Sequence, residues 1–193
     1  MRMRTLTDCP GRGLYPARRN VLRAADGQFI LEADDAVHQP WDGVAMKEWT
    51  AIATVKAKPE AVLDVLTDPE AARRWAPIEF DVDGVRGRLR SGSRAYVSGR
   101  LAGRYVEFEV EVHEAEDGRL HLRADGPIGF DVRYDLAPAP DGSEVRASVA
   151  VRPSKGIIGR IMAEATNALF AAGALNKAIA RIGLEAAAAP AAA

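Results

Sequence analysis

The stretch Tyr105-Val106-Glu107-Phe108-Glu109-Val110-Glu111-Val112 alternates without a fault: Val106, Phe108, Val110 and Val112 are apolar, and Glu107, Glu109 and Glu111 lie between them. Successive side chains of a β-strand point to opposite faces, so this pattern predicts a strand with one dry face and one solvated face. The same parity recurs downstream. Phe130, Val132, Tyr134 and Leu136 oppose Asp131, Arg133 and Asp135, and Val145, Ala147, Val149 and Val151 oppose Glu144, Arg146 and Ser148. From residue 78 to 152 such runs are separated by Gly, Asp and Pro turns, the signature of antiparallel strands joined by short loops. A sheet that buries one face only needs a cover.

The cover is expected from the C-terminal segment. Pro153-Ser154 supplies a helix start, and residues 155–185 place Ile158, Ile161, Met162, Ala165, Leu169, Ala172, Leu175, Ile179 and Ile182 on one stripe at helical spacing. A helix of about 30 residues spans roughly 45 Å, enough to cross a whole curved sheet. Gly173 and Gly183 interrupt it, which fits a close approach or a gentle bend. Upstream, 48–57 is strand-like. Pro59 then opens a helix that carries Val62, Val65 and Leu66 to Thr67, and Asp68-Pro69 opens a second short helix, 69–75, ending near Trp75 and Pro77. The expected class is α+β: a curved seven-stranded antiparallel sheet wrapped around a long C-terminal helix, with two short helices after the first strand.

The ends are read differently. Residues 1–45 form an N-terminal extension, an irregular arm with six Arg and one Asp in residues 1–23, followed by a hairpin signal at Asp26-Gly27 between two short apolar runs. That hairpin would extend a sheet edge or lie across a cavity mouth. The core domain is placed at 46–186, and the Ala-rich tail at 187–193 is expected to fray. The chain has 193 residues, 48% of them hydrophobic, which suits one domain with a sizeable core. With 26 Lys+Arg against 27 Asp+Glu, no electrostatic nucleic-acid interface is expected. No apolar run is long enough to span a bilayer, and no signal peptide is recognised, so a cytoplasmic protein without integral membrane association is expected. The single cysteine, Cys9, excludes an internal disulfide.

Catalytic motifs are scarce. G-x-S-x-G, the P-loop and H-E-x-x-H are absent, and the one G-x-G, Gly11 and Gly13, does not open a helix after a strand. His38, His113 and His121 lack ligand-like spacing, with only His113 and His121 placed to meet across a hairpin, so neither a metal nor a cofactor is expected. Glu107, Glu109 and Glu111 are assigned to a solvated outer face paired with Arg residues, and Arg86, Arg88 and Arg90 to an exposed strand or loop. The polar groups expected to reach the interior are few. Tyr134 shares the inner parity, so its hydroxyl points to a cavity, or is satisfied by backbone as a core aromatic. Asn176 falls on the helical stripe, where a buried amide needs a hydrogen-bond partner. Tyr96 competes with Ala95 and Val97 for the inner face.

The stretch KPEAVLDVLTDPEAARRW (58–75) resembles the opening of the START/Bet v 1-like (SRPBCC) superfamily, in its polyketide cyclase/dehydrase and lipid-transport branch. The segments VEVHEAEDGRLHLRA (110–124) and YDLAPAPDGSEV (134–145) and a final helix ending IARIGLEA follow in the order of that superfamily. The resemblance covers about residues 47–186, and Leu63 stands where many relatives carry an aromatic residue. It implies the helix-grip fold with an apolar cavity between sheet and helix, and it implies that Trp75 lines that cavity or its entrance. The superfamily includes carriers, sensors, cyclases and hydrolases on one scaffold, so the resemblance bears on fold more than on function.

The sequence supports three readings. In the first, a hydrophobic small molecule (a lipid, a polyketide or an aromatic metabolite) binds in the cavity, contacted by Trp75, Tyr96, Phe108, Phe130, Tyr134, Met162, Leu169 and Asn176. In the second, the protein is a polyketide cyclase or dehydratase in which Tyr134 or Asn176 assists proton transfer or enolate stabilisation, without metal or nucleotide cofactor. In the third, the core is filled and the domain is a protein-interaction module. A monomer or a homodimer is compatible with all three.

Overall fold

The computed structural model describes residues 47–101, 103–153 and 156–188, together with the strand backbones of 18–25 and 28–36. The Asp26-Gly27 turn, His38, Cys9 and the chain beyond Ala188 lie outside the described residues. In chain order the elements are β1 (Arg18–Ala25), β2 (Gln28–Ala36), β3 (Lys47–Val55), α1 (Pro59–Thr67), α2 (Pro69–Trp75), β4 (Phe80–Asp83), β5 (Arg94–Leu101), β6 (Arg104–Glu116), β7 (Arg119–Asp125), β8 (Ile128–Ala139), β9 (Gly142–Pro153), α3 (Ile157–Ala171) and α4 (Ala174–Ala188).

Strands β3 to β9 form a seven-stranded open sheet in the order β3-β9-β8-β7-β6-β5-β4, antiparallel throughout. At its β3 edge the sheet continues into β1, which runs parallel to β3 with Val21 opposite Thr50, and then into β2, antiparallel to β1. The hairpin strands thus extend a sheet edge. The register follows from the alternation. Val97 faces Phe108, Val110 faces Ala124, Leu122 faces Val132 and Tyr134 faces Ala147, so the apolar positions of neighbouring strands share one face. On the other face Arg94 pairs with Glu111 at 3.3 Å.

Helices α1, α2, α3 and α4 cover the dry face, giving the helix-grip arrangement. Asp68 links the first two: its carboxylate accepts from the Glu70 N–H at 2.9 Å and caps α2, while Pro69 occupies the first turn. Ile179 and Ile182 of α4, Val62 of α1 and Val145 of β9 are fully buried at the centre of the core. Gly183 lets α4 close on β3, since a Cβ there would lie 2.7 Å from Cγ1 of Val55.

The C-terminal helical segment departs from an uninterrupted rod. It is divided at Ala172-Gly173, where Gly173 adopts a φ of +82° and ends α3 by donating its N–H to Phe170 O at 2.9 Å. Lys177 N then bonds to Gly173 O at 3.1 Å as α4 begins. The break uncouples the phases of the two halves. In α4 the buried positions include the expected Leu175, Ile179 and Ile182, but α3 buries Gly159, Met162, Ala163 and Thr166. Ile158 and Ile161, expected to be inside, are instead 57% and 62% exposed. Small residues at Gly159, Ala163 and Thr166 let the helix lie close to β9, and the Thr166 hydroxyl is satisfied by Met162 O at 2.9 Å.

Candidate functional site

Between the concave face of the sheet and the helices lies a half-open cavity of about 260 Å³. The sheet floors it with Val97, Val110, Leu122, Val132 and Val149, and the helices roof it with Leu66, Trp75, Phe170, Leu175 and Ala178. Asp68 and the exposed Pro77, at either end of α2, also line it. Two ties hold this corner. Arg181 donates to Ala76 O at 3.1 Å, and Arg74 donates to Glu185 at 2.7 Å, so the end of α2 and the segment after it are fixed to α4.

Among the described residues, Tyr134 is the hydroxyl-bearing residue that lines the cavity. It reaches the cavity from β8 and is 5% exposed, and no described residue hydrogen-bonds its hydroxyl. Burial among apolar neighbours pushes the phenol well above its ordinary value, so it stays protonated and can donate to an acceptor placed in the cavity. Asp68 is the one lining residue that carries a formal charge. Trp75 turns its ring to the cavity and its indole N–H to Val65 O at 3.4 Å, which ties α2 to α1.

The expected site residues therefore separate. Trp75, Phe130 and Tyr134 line the main cavity. Phe108 and Phe130 line a second apolar space of about 170 Å³ beside it, with their ring centroids 5.5 Å apart. Tyr96 lies elsewhere than expected. Its register partner is Glu109, so it belongs to the outer face and is 61% exposed, while Ala95, opposite Val110, turns inward. Asn176 is half-buried and does not line the cavity, because the break at Gly173 gives the inward positions of α4 to Leu175 and Ala178. The rotated phase of α3 likewise puts Phe170 in the roof in place of Leu169, and packs Met162 into the core beside the cavity. The sequence reading missed Ile78, Phe80 and Val82, which alternate into the interior from the short edge strand and the segment before it. It also missed Trp49 and Asn167, joined by an indole-to-amide hydrogen bond of 3.0 Å that pins α3 to β3.

The other polar clusters lie outside the cavity. Glu107 and Glu109 are exposed, as are Arg86, Arg88 and Arg90, and Arg88 pairs with Asp64. His113 and His121 do meet, with ring centroids 5.0 Å apart, and His121 contacts Asp131 at 3.2 Å. Among the described residues no group of three or more His, Cys, Asp or Glu side chains is placed to hold a metal ion, and no helix is long and apolar enough to cross a membrane.

Residues 46–190 match the family model described as polyketide cyclase / dehydrase and lipid transport. The chain belongs to this family. Solved structures share its fold. The Zhui aromatase/cyclase from Streptomyces sp. R1128 superposes with a TM-score of 0.61 at 15% identity, over 77% of this chain and 98% of that one. A protein from Thermus thermophilus gives 0.59 at 18% identity, over 75% and 100% of the two chains. A START superfamily protein from Mycobacterium smegmatis gives 0.52 at 18% identity, over 69% and 93%. At these identities the likeness is one of fold. No curated protein sequence matches the chain.

Proposed function

We propose that this member of the polyketide cyclase / dehydrase and lipid transport family binds a neutral hydrophobic small molecule, such as a lipid, a polyketide or an aromatic metabolite, in the cavity under α4. The observation that carries this reading is the chemistry of the lining: apart from Asp68 it is apolar, with one protonated phenol, Tyr134, whose hydroxyl no described residue hydrogen-bonds. Burial of apolar surface supplies affinity at about 25 cal/mol per Å², and a hydrogen bond from Tyr134 orients an acceptor such as a ketone or quinone oxygen. A carboxylate or phosphate finds no cation in this lining, and the charge of Asp68 disfavours it.

The same lining favours binding over turnover. A general base has to hold a proton affinity suited to the working pH, and a phenol raised by burial lies further from that range than free tyrosine. A cyclase or dehydratase remains the second reading, favoured by the fold shared with the Zhui aromatase/cyclase, with Tyr134 as hydrogen-bond donor to a carbonyl of a shaped chain. Titration with a neutral fused-ring ketone, followed by tryptophan fluorescence, tests the binding reading. Saturable quenching that is largely lost in Trp75→Phe is expected. Absence of any saturable change would overturn it, and appearance of a cyclised or dehydrated product from a polyketide chain would favour the second reading.

A further inference from the structure

We infer that Phe130 is a specificity-determining residue, a partition whose ring sets how long a ligand the protein accepts. This inference rests on the binding reading above. The main cavity of about 260 Å³ and the neighbouring space of about 170 Å³ lie side by side under the same sheet, and five residues line both: Ile78, Phe80, Val97, Val110 and Phe130. Phe130 stands among them on β8, which lies centrally in the sheet, and it packs tilted against Phe108, whose ring lines the smaller space alone. The smaller space is apolar, lined by Gly99, Val106, Phe108 and Ala124 beyond the shared residues, and contributes no hydrogen-bonding side chain. It can receive an aliphatic or aromatic end but cannot orient one. The oriented end belongs at Tyr134, in the larger space. A ligand long enough to outgrow that space has to displace the Phe130 ring to continue into the smaller one.

The geometry gives a length rule. Each methylene that moves from water into an apolar space tightens binding about four-fold. In the unaltered chain that gain should stop at the length that fills the larger space. In Phe130→Leu, which shortens the side chain and keeps the site apolar, it should continue for several more carbons. Val106→Phe provides the complementary variant, because Val106 lines the smaller space and not the larger one.

The experiment measures dissociation constants for methyl ketones of eight, twelve and sixteen carbons with the full chain, Phe130→Leu, Val106→Phe and the double variant, each first shown to unfold cooperatively. The expected result is a plateau in affinity for the unaltered chain, and a gain of ten-fold or more for the longest ketone in Phe130→Leu. That gain should be abolished in the double variant, with the eight-carbon ketone bound alike by the unaltered chain and Val106→Phe. If the unaltered chain binds the ketones and Phe130→Leu plateaus at the same length, the partition is refuted and the cavity reading stands. If the unaltered chain binds none of them, the binding reading itself fails, and the partition with it.

Discussion

Replacing Tyr134 by Phe removes one oxygen from the cavity wall and leaves the ring in place. No described residue hydrogen-bonds that hydroxyl, so the ligand-free fold loses no bond and gains no orphaned partner. Stability at neutral pH should therefore stay within about 0.5 kcal/mol of the unaltered chain. A bound ketone, by contrast, loses its donor. A neutral hydrogen bond is worth about 0.5–1.5 kcal/mol net, so affinity for a ketone should fall about two- to thirteen-fold, while affinity for a hydrocarbon of the same shape should not. The pH dependence gives an independent check. Burial raises the folded-state value of Tyr134 above that of the unfolded chain, so its stabilising contribution is complete below a phenol's ordinary value of about 10 and is lost as pH rises beyond it. Alkaline destabilisation should therefore set in above about pH 10, at up to about 1.4 kcal/mol per unit from this group, and should be shallower in Tyr134→Phe. Calorimetric titration with a ketone and its hydrocarbon isostere, together with denaturant unfolding from neutral to strongly alkaline pH, reads all three quantities. Loss of stability at neutral pH, or equal loss of affinity for ketone and hydrocarbon, would refute the assignment of Tyr134 as a free donor facing the cavity.

Three further outcomes follow from the same structure. Gly173→Ala should cost about 1–2 kcal/mol, because a side chain is strained at positive φ, and the melting temperature should drop by several degrees; a gain would mean that α3 and α4 form one continuous helix. Ile179→Ala, at a fully buried position against the sheet, should cost about 2–5 kcal/mol in denaturant unfolding. Asn176→Leu should leave ketone affinity within about two-fold, because the side chain does not line the cavity, and a larger effect in titration would return Asn176 to the site.

The strands were legible because each carries its own record of which face is dry. The alternation at 105–112 places Phe108 and Val110 inward and Glu109 outward, and the register with β5 repeats that division. Tyr134 was placed inward by the same parity. Tyr96 shows the limit of the method: its strand, Arg94–Leu101, mixes Ala, Tyr, Val, Ser and Gly, and an apolar-bodied tyrosine is compatible with either face. Pairing with β6, a contact between separate segments, decides the matter. The helical stripe failed for a different reason. Counting from Ile158 through Ile182 assumes one unbroken phase, and a single residue at positive φ, Gly173, resets it. In α3 the larger apolar residues Ile158 and Ile161 then face solvent, and Gly159, Ala163 and Thr166 face the sheet, because closeness of backbone and sheet selects small side chains there. The cavity itself was implied by the resemblance carried at 58–75, but its subdivision around Phe130 depends on how side chains from several strands meet.

The most direct test of the binding reading is native mass spectrometry of the freshly purified full chain, followed by organic extraction and identification of what is released. A cavity with this lining predicts a stoichiometric adduct that is lost on extraction and belongs to a neutral, largely apolar class bearing an oxygen acceptor. A protein that carries no adduct, and whose unfolding temperature is unchanged by a panel of neutral lipids and aromatic polyketides, would contradict it and favour a filled core with a role in protein interaction.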